Sequence, residues 1–356
     1  MSRFIPLSAE KNKALHEGVV IPAHPLALNA ARELDERRQR ALTRYYMASG
    51  TGGIAVAVHT TQFEIRDKEH NLFEKVLRLA SEEVKNAKLN RPFLQVAGIC
   101  GPTEQAVYEA ETAAGLGYDL GLVSMGGLQS WTEKDLLKRI ATIAEIIPVF
   151  GFYLQPSVGG RVLSYDFWKE FTNISGVAGI KMAPFNRYQT IDVVRAVCNS
   201  ERRDEIALYT GNDDNIVNDL LTTYHFVVNG NKVEKKIVGG LLGHWSVWTQ
   251  KAVELLDAIK LVRNDESLSS HWLTRNIEVT DSNAAFFDTA NGFAGCIAGI
   301  HEVLRRQGLL EGRWCLNPEE ELSNGQMEEI DRVYRDYPNL NDDEFVKKHL
   351  SEWLAD

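Results

Sequence analysis

The feature that most constrains this chain is a series of short apolar runs at fairly even spacing, with amphipathic stretches between them. Val19–Ile21 opens the series. Gly53–Val58 (GIAVAV), Phe93–Ile99 (FLQVAGI), Leu120–Ser124 (LGLVS), Val149–Tyr153 (VFGFY), Val177–Ile180 (VAGI), Ile206–Tyr209 (IALY) and Gly239–Gly243 (GGLLG) continue it. The runs are nearly continuous in apolar residues and do not alternate. That suits strands buried on both faces, hence a parallel sheet.

The intervening stretches carry helical periodicity. Leu136, Ile140, Ile143, Ala144 and Ile147 share one face, as do Leu72, Val76 and Leu79, and Ile191, Val194 and Val197. Thr103 and Thr132, each followed by a glutamate, read as N-caps. Eight strand-like runs alternate with seven helical patterns, and Trp248–Ile259 supplies an eighth helix. This repeat predicts an α/β fold, a (β/α)₈ (TIM) barrel over residues 1–260. The rival, an open doubly wound sheet of Rossmann type, would place a GxGxxG after the first strand, and there is none.

After residue 260 the alternation stops. Leu261–Arg275, Asp281–Gln307, Pro318–Asp336 and Asp342–Leu354 read as helices, so residues 261–356 are expected to form a C-terminal helical region on the barrel. Phe226–Ile237 stands apart. Asn229-Gly230 between β-prone residues predicts a small hairpin inserted between helix 7 and strand 8.

Bulk properties narrow the function classes. A chain of 356 residues with 44% hydrophobic content can bury a large core. A formal net charge of −10 argues against a nucleic-acid partner. No apolar run approaches the roughly 20 residues of a membrane span, and the N-terminal stretch is too polar for a signal peptide. Cys100, Cys198, Cys296 and Cys315 are scattered with no CxxC pair, which predicts reduced thiols in a cytoplasmic protein rather than a disulfide or zinc framework.

In such a barrel, function gathers where the strands end at their C-terminal side. Lys181 follows the apolar Val177–Ile180 run. An ordinary lysine is protonated at neutral pH, whereas a desolvated one exposes a neutral amine able to form an imine with a ketone. The plain alternative is a lysine snorkelling to the rim. Tyr153 ends the fifth run and is expected beside Lys181, where a phenol can move protons; otherwise it caps the core. Thr60 and Thr61 follow the second run and are expected to bind a carboxylate, or else to close a turn, with His59 beside them. Gly211, Asn212, Asp213 and Asp214 follow the seventh; they suit substrate hydroxyls, or Asp213 N-caps the next helix. Two acids without companion ligands make no metal site.

Taken together, GIAVAVHTTQFEIRDKEH, VFGFYLQPSVGG and VAGIKMAP resemble the threonine loop, tyrosine strand and Schiff-base lysine strand of the dihydrodipicolinate synthase / N-acetylneuraminate lyase family of class I aldolases. Residues 18–260 are covered. The resemblance implies that Lys181 forms an imine with a 2-oxo acid such as pyruvate, without a metal or organic cofactor. It implies that Tyr153 relays protons, that Thr60 hydrogen-bonds Tyr153, and that Thr60 and Thr61 hold the carboxylate. It also implies a homotetramer or homodimer. The sequence departs from the family at several points. Val158 stands where the family's dihydrodipicolinate synthases carry an arginine, with Arg161 three residues on as a substitute; Ser124-Met125-Gly126-Gly127 replaces an aromatic pair. His24-Pro25-Leu26 replaces Thr-Pro-Phe, and His244, Trp245 and Trp248 are expected to line a bulkier pocket or to pack helix 8.

Three functions are compatible with this pattern. The first is a Schiff-base lyase or aldolase on a 2-oxo acid. The second is a hydro-lyase using the same imine on a deoxy keto sugar acid, motivated by the polar residues after the seventh run. The third is a barrel that binds a small ligand without turnover.

Overall fold

The computed structural model describes residues 6–355, so the first five residues of the polar N-terminal stretch lie outside it. Eight parallel strands alternate with helices: β1 Val20–Pro22, β2 Gly53–Val56, β3 Leu94–Ile99, β4 Leu120–Val123, β5 Val149–Leu154, β6 Val177–Ala183, β7 Ala207–Thr210 and the distal half of β9 Asn231–Leu242. Their order is β1-β9-β7-β6-β5-β4-β3-β2. The sheet closes between β1 and β2 through a parallel bridge, Ala23 to Ala55, with His24 N–H donating to Ala55 O at 2.8 Å and Gly52 N–H to Val20 O at 3.1 Å. The molecule is therefore a (β/α)₈ barrel with C-terminal helices, as the alternating runs predict.

Two apolar layers explain the run composition. Ile21, Leu94, Val96, Leu120, Leu122, Phe150, Tyr209 and Leu241 cluster inside the barrel, while the opposite strand faces join the layer beneath the surrounding helices. A helix that the sequence reading did not anticipate, α1 Ala9–Glu17, is capped by Ser8 and lies against the barrel's N-terminal end. Its buried Leu15 packs with the interior cluster, and Tyr209 Oη donates to Leu15 O at 2.9 Å and accepts from Val19 N at 3.2 Å.

The hairpin is present. β8 Thr223–Val228 pairs antiparallel with the first part of β9, and Asn229 (φ 50°) and Gly230 (φ 81°) make the left-handed turn that Asn-Gly favours. Its second strand runs without a break into the barrel, so the eighth barrel strand is longer than its apolar segment. Thr132 caps α5 Glu133–Ala144, accepting from Asp135 N at 3.2 Å. Thr103 is not a cap: α4 Thr103–Leu116 begins on it, and Pro102 holds the cap position. A proline there supplies a preset φ rather than a side-chain acceptor.

The C-terminal boundaries differ more. α9 Thr249–Val262 ends before the polar RNDESLSS segment, and α10 runs from His271 to Phe286, across the break expected near residue 276. The expected helix Asp281–Gln307 is interrupted instead at 287–295. There Asp288 (φ 55°) accepts from Gly295 N–H at 2.9 Å and Asn291 Nδ2 at 2.7 Å, a local polar knot that outcompetes helix continuation. α11 Cys296–Arg306 follows; α12 occupies only Gln326–Asp336, and α13 Asp343–Trp353 matches its prediction. Thus 308–325 is an irregular strap.

These helices are tied to the barrel's own. α13 packs on α2 Glu36–Ala48, with Tyr45 and Trp353 ring centroids 5.4 Å apart. The buried carboxylate of Asp342 accepts from Tyr45 Oη (2.8 Å), Gln250 N–H (3.0 Å) and Gln307 Nε2 (2.7 Å). Removing it would leave buried donors from α2 and α9 without this partner and would take one of the two acceptors of Gln307 Nε2, the other being Asp343 Oδ1 at 2.8 Å. Asp342→Ala is expected to destabilise the fold by about 3 kcal/mol in equilibrium denaturation, and a loss under about 1 kcal/mol would show that the hub is not needed.

Candidate active site

A cavity of about 540 Å³, measured out to its open mouth, lies at the C-terminal ends of the strands. Lys181 lies on its wall. The sequence reading ended the sixth strand there, but β6 continues to Ala183, and the alternation of the strand turns Lys181 and Ala183 inward. Lys181 is 8% exposed. Burial pulls its pKa down, and the nearby Asp213 opposes that shift. Gly211 makes room for it: a Cβ there would lie 2.5 Å from Lys181 Cε and 2.9 Å from Ala183 Cβ. Glycine at 211 thus acts through the lysine as well as lining the cavity.

Tyr153 is not in the cavity. β5 pairs with β6 in the register Phe152 to Lys181 and Tyr153 to Met182, so the phenylalanine shares the lysine's inward face. Lys181 Nζ sits 4.3 Å from the Phe152 ring centroid. Tyr153 points outward beneath the helices, 5.2 Å from the Trp168 ring. Its Oη accepts from Leu163 N at 3.2 Å and donates to Leu163 O at 3.3 Å. It therefore makes no hydrogen bond to Thr60. The same parity shows in the packing two residues back. Gly151 shares the outward face with Tyr153, and a Cβ at Gly151 would lie 2.5 Å from Phe171 Cζ.

The threonine pair divides. Both lie in a 3₁₀ turn, His59–Thr61. Thr61 Oγ1 is occupied, donating to His24 O at 2.6 Å and accepting from Val58 N at 3.3 Å, so it ties the β2 loop to β1. Thr60 Oγ1 is buried, lines the cavity and has no hydrogen-bond partner among the described residues. A buried hydroxyl without a partner is costly, and a ligand acceptor would satisfy it. His59 lines the same wall. Its burial, with Lys181 nearby, pulls its pKa down to about 4, so it is neutral at physiological pH.

Of the residues after β7, only Gly211 and Asp213 face the cavity. Asn212 is turned inward among protein partners, accepting from Phe185 N at 3.1 Å and donating to Thr190 Oγ1 at 3.1 Å and Asp219 Oδ2 at 2.9 Å. Asp213 does not cap the following helix, α8 Ile216–Leu221, whose cap position is Asn215. Instead one carboxyl oxygen accepts from the His244 backbone N–H at 3.0 Å. Burial pushes the Asp213 pKa up, while that hydrogen bond and Lys181 pull it down. The cavity thus pairs an amine and a carboxyl group that burial drives toward their neutral forms, an arrangement typical of sites that transfer protons.

Two further predicted ligands are displaced. Arg161 Nη1 donates to Leu128 O at 2.9 Å and Trp131 O at 3.0 Å, stapling the loop after β4, and Arg161 does not line the cavity. The His244 side chain is buried against Phe286, with ring centroids 5.8 Å apart; only its backbone reaches the site, through Asp213. Trp245 and Trp248 are buried too, and Trp248 packs edge-on to Phe286 at 4.9 Å and Tyr334 at 5.1 Å. They form the helix 8 packing rather than a pocket wall.

Apart from Val158, the wall comes from residues the sequence reading did not place at the site. Phe152 and Leu154 from β5, Gln155 and Val158 after it, and Phe185 after β6 line the cavity with Phe287, Phe293 and Cys296 from the C-terminal helices. Phe185 (φ 51°) and Phe293 (φ 72°) hold left-handed backbone conformations that cost a bulky residue about 1–2 kcal/mol each. Their rings meet edge to face at 5.9 Å. No sequence periodicity marks them, because loops place them. The four cysteines are unpaired, and burial raises the thiol pKa of Cys296. Among the described residues no cluster of His, Cys, Asp and Glu has the makings of a metal site, and no helix is long and apolar enough to cross a membrane.

No family model matches the sequence, and no curated protein matches it. Solved structures do match in shape. Dihydrodipicolinate synthase from Acinetobacter baumannii complexed with pyruvate superposes with a TM-score of 0.72 at 17% identity, covering 90% of this chain and 99% of that one. Dihydrodipicolinate synthase from Oceanobacillus iheyensis gives 0.70 at 18% identity, covering 92% and 99%. N-acetylneuraminate lyase from Fusobacterium nucleatum gives 0.68 at 16% identity, covering 91% and 99%. The chain therefore shares the barrel fold of these enzymes over about nine-tenths of its length.

Proposed function

We propose that this chain is a Schiff-base-forming lyase acting on a 2-oxo acid, with Lys181 as the nucleophile. The observation that carries the reading is a lysine amine buried on the inner face of a (β/α)₈ barrel, at the catalytic end, with its pKa lowered by burial. The shared fold of pyruvate-bound dihydrodipicolinate synthase supports the choice of a 2-oxo acid.

The steps follow from the side chains present. Neutral Lys181 adds to the C2 carbonyl, and loss of water gives the iminium. Thr60 Oγ1 donates to the substrate carboxylate, using the hydrogen-bonding capacity left open in the protein. The Asp213 carboxylate takes a proton from C3, and the pair of electrons left behind moves into the iminium to give an enamine. In the synthetic direction C3 attacks an aldehyde carbonyl, and Asp213 returns the proton to the new alkoxide. Water then hydrolyses the imine and frees Lys181. Asp213 takes the proton-transfer role that the resemblance implied for Tyr153. A hydro-lyase would use the same enamine, but of the polar residues that motivated it only Asp213 and Gly211 line the cavity.

Four outcomes test this. Incubation with pyruvate and sodium borohydride is expected to add a reduced adduct to the wild type by intact mass and none to Lys181→Ala; an unmodified wild type across a 2-oxo-acid panel would refute the imine. Exchange of the pyruvate methyl protons with deuterium, followed by NMR, is expected to fall about 10²–10⁴-fold in Asp213→Asn with adduct formation retained. Tyr153→Phe is expected to change that rate by less than about threefold, since its hydroxyl serves only Leu163. The converse pattern would return the proton transfer to the tyrosine. The adduct-formation rate should rise with pH along a limb below the ordinary lysine pKa of about 10.4. The Asp213 anion favours the ammonium, so Asp213→Asn is expected to move the limb to still lower pH; an upward move would contradict the pairing.

A further inference from the structure

We infer that the carbonyl partner joined to, or released from, the 2-oxo acid is an apolar aldehyde, aromatic or branched-alkyl, and not a hydroxylated or anionic one. The inference rests on the imine reading above and concerns the part of the cavity that reading leaves unused. Once Lys181, Asp213 and Thr60 are engaged at the reacting carbons, Gln155 and the neutral His59 are the polar side chains left on the wall. The remaining lining is apolar and includes Leu154, Val158, Phe185, Phe287, Phe293 and Cys296.

The polar groups that would bind a sugar chain or a second carboxylate are committed elsewhere. Arg161 is held by the carbonyls of Leu128 and Trp131, so among the described residues Lys181 is the only cation lining the cavity. Asn212 spends its amide on Phe185, Thr190 and Asp219. The first of those bonds also has a positive role, for it pins the backbone N–H of Phe185, a residue held at φ 51°. Phe293, at φ 72°, is fixed by its N–H donating to Asp288 O at 3.0 Å. Two phenylalanines in left-handed conformations, one from the loop after β6 and one from the break before α11, meet edge to face at the cavity. Rings kept in such conformations are there to present a surface. An apolar fragment gains by burial against that surface, whereas a hydroxylated one loses its water partners and finds too few replacements.

The test uses the wild-type protein with pyruvate and a panel of aldehydes: benzaldehyde and isobutyraldehyde against D-glyceraldehyde and glyoxylate. Formation of the 4-hydroxy-2-oxo acid is followed by liquid chromatography and mass spectrometry, with the borohydride adduct measured in parallel. The expected result is an adduct together with kcat/KM for the apolar aldehydes at least about tenfold above the other two. An adduct with equal or better use of glyceraldehyde or glyoxylate, or with no apolar aldehyde accepted, overturns the inference and leaves the imine reading standing. No adduct overturns the imine reading, and this inference with it.

Discussion

The pleat of a closed parallel barrel governs this molecule. Once β1 and β2 join through Ala23 and Ala55, every strand residue points either into the barrel or beneath the helices, and a shift of one position exchanges the two. The irregularity between Val149 and Phe150 sets β5 against β6 so that Phe152, not Tyr153, stands beside Lys181. The chemistry available at the site follows from that register. An inward phenol would have supplied a proton carrier next to the amine; an inward phenyl ring supplies only an apolar face. In the proposed reaction the proton-transfer role falls to the carboxyl group of Asp213, after the adjacent strand β7, whose orientation is kept by the backbone of the loop after the last barrel strand.

Burial is the second shaping force. Lys181 and Asp213 are each moved toward neutrality by the loss of water, and each opposes the other's shift through its charge. Each group is thereby held closer to its neutral form than it would be in water, which lowers the cost of keeping both in an apolar cavity. The same cavity leaves Thr60 Oγ1 without a partner among the described residues while Thr61, its neighbour, is fully engaged. Adjacent residues of identical type thus do different work, one holding β1 to the β2 loop and the other open to a ligand.

The C-terminal helices belong to the site as much as to the scaffold. Asp342 and Trp353 bind the last helix to α2, while the break at 287–295 brings Phe287, Phe293 and Cys296 to the cavity. That break is a polar knot around Asp288, and it replaces what the apolar pattern suggests should be one long helix. The backbone cost of Phe293 is thus borne where the chain leaves helical geometry.

The sequence by itself determined the barrel, since eight apolar runs separated by amphipathic stretches have few other ways to bury both strand faces. It also determined that a lysine follows the sixth run, that two threonines follow the second, and that an Asn-Gly turn closes a hairpin. These are local facts, carried by periodicity and residue type. Only the tertiary structure decided which of these side chains meet. Lys181, Asp213, Gly211 and Thr60 share the cavity, whereas Tyr153, Thr61, Arg161 and the His244 side chain do not. The physical reason is that strand parity and loop hydrogen bonds are relations between distant segments. Gly151 and its close contact with Phe171 reflect the parity of β5, but the partner ring lies twenty residues away. The phenylalanine wall left no hint either, because residues from β5, the β6 loop and the C-terminal helices converge only after the chain has folded.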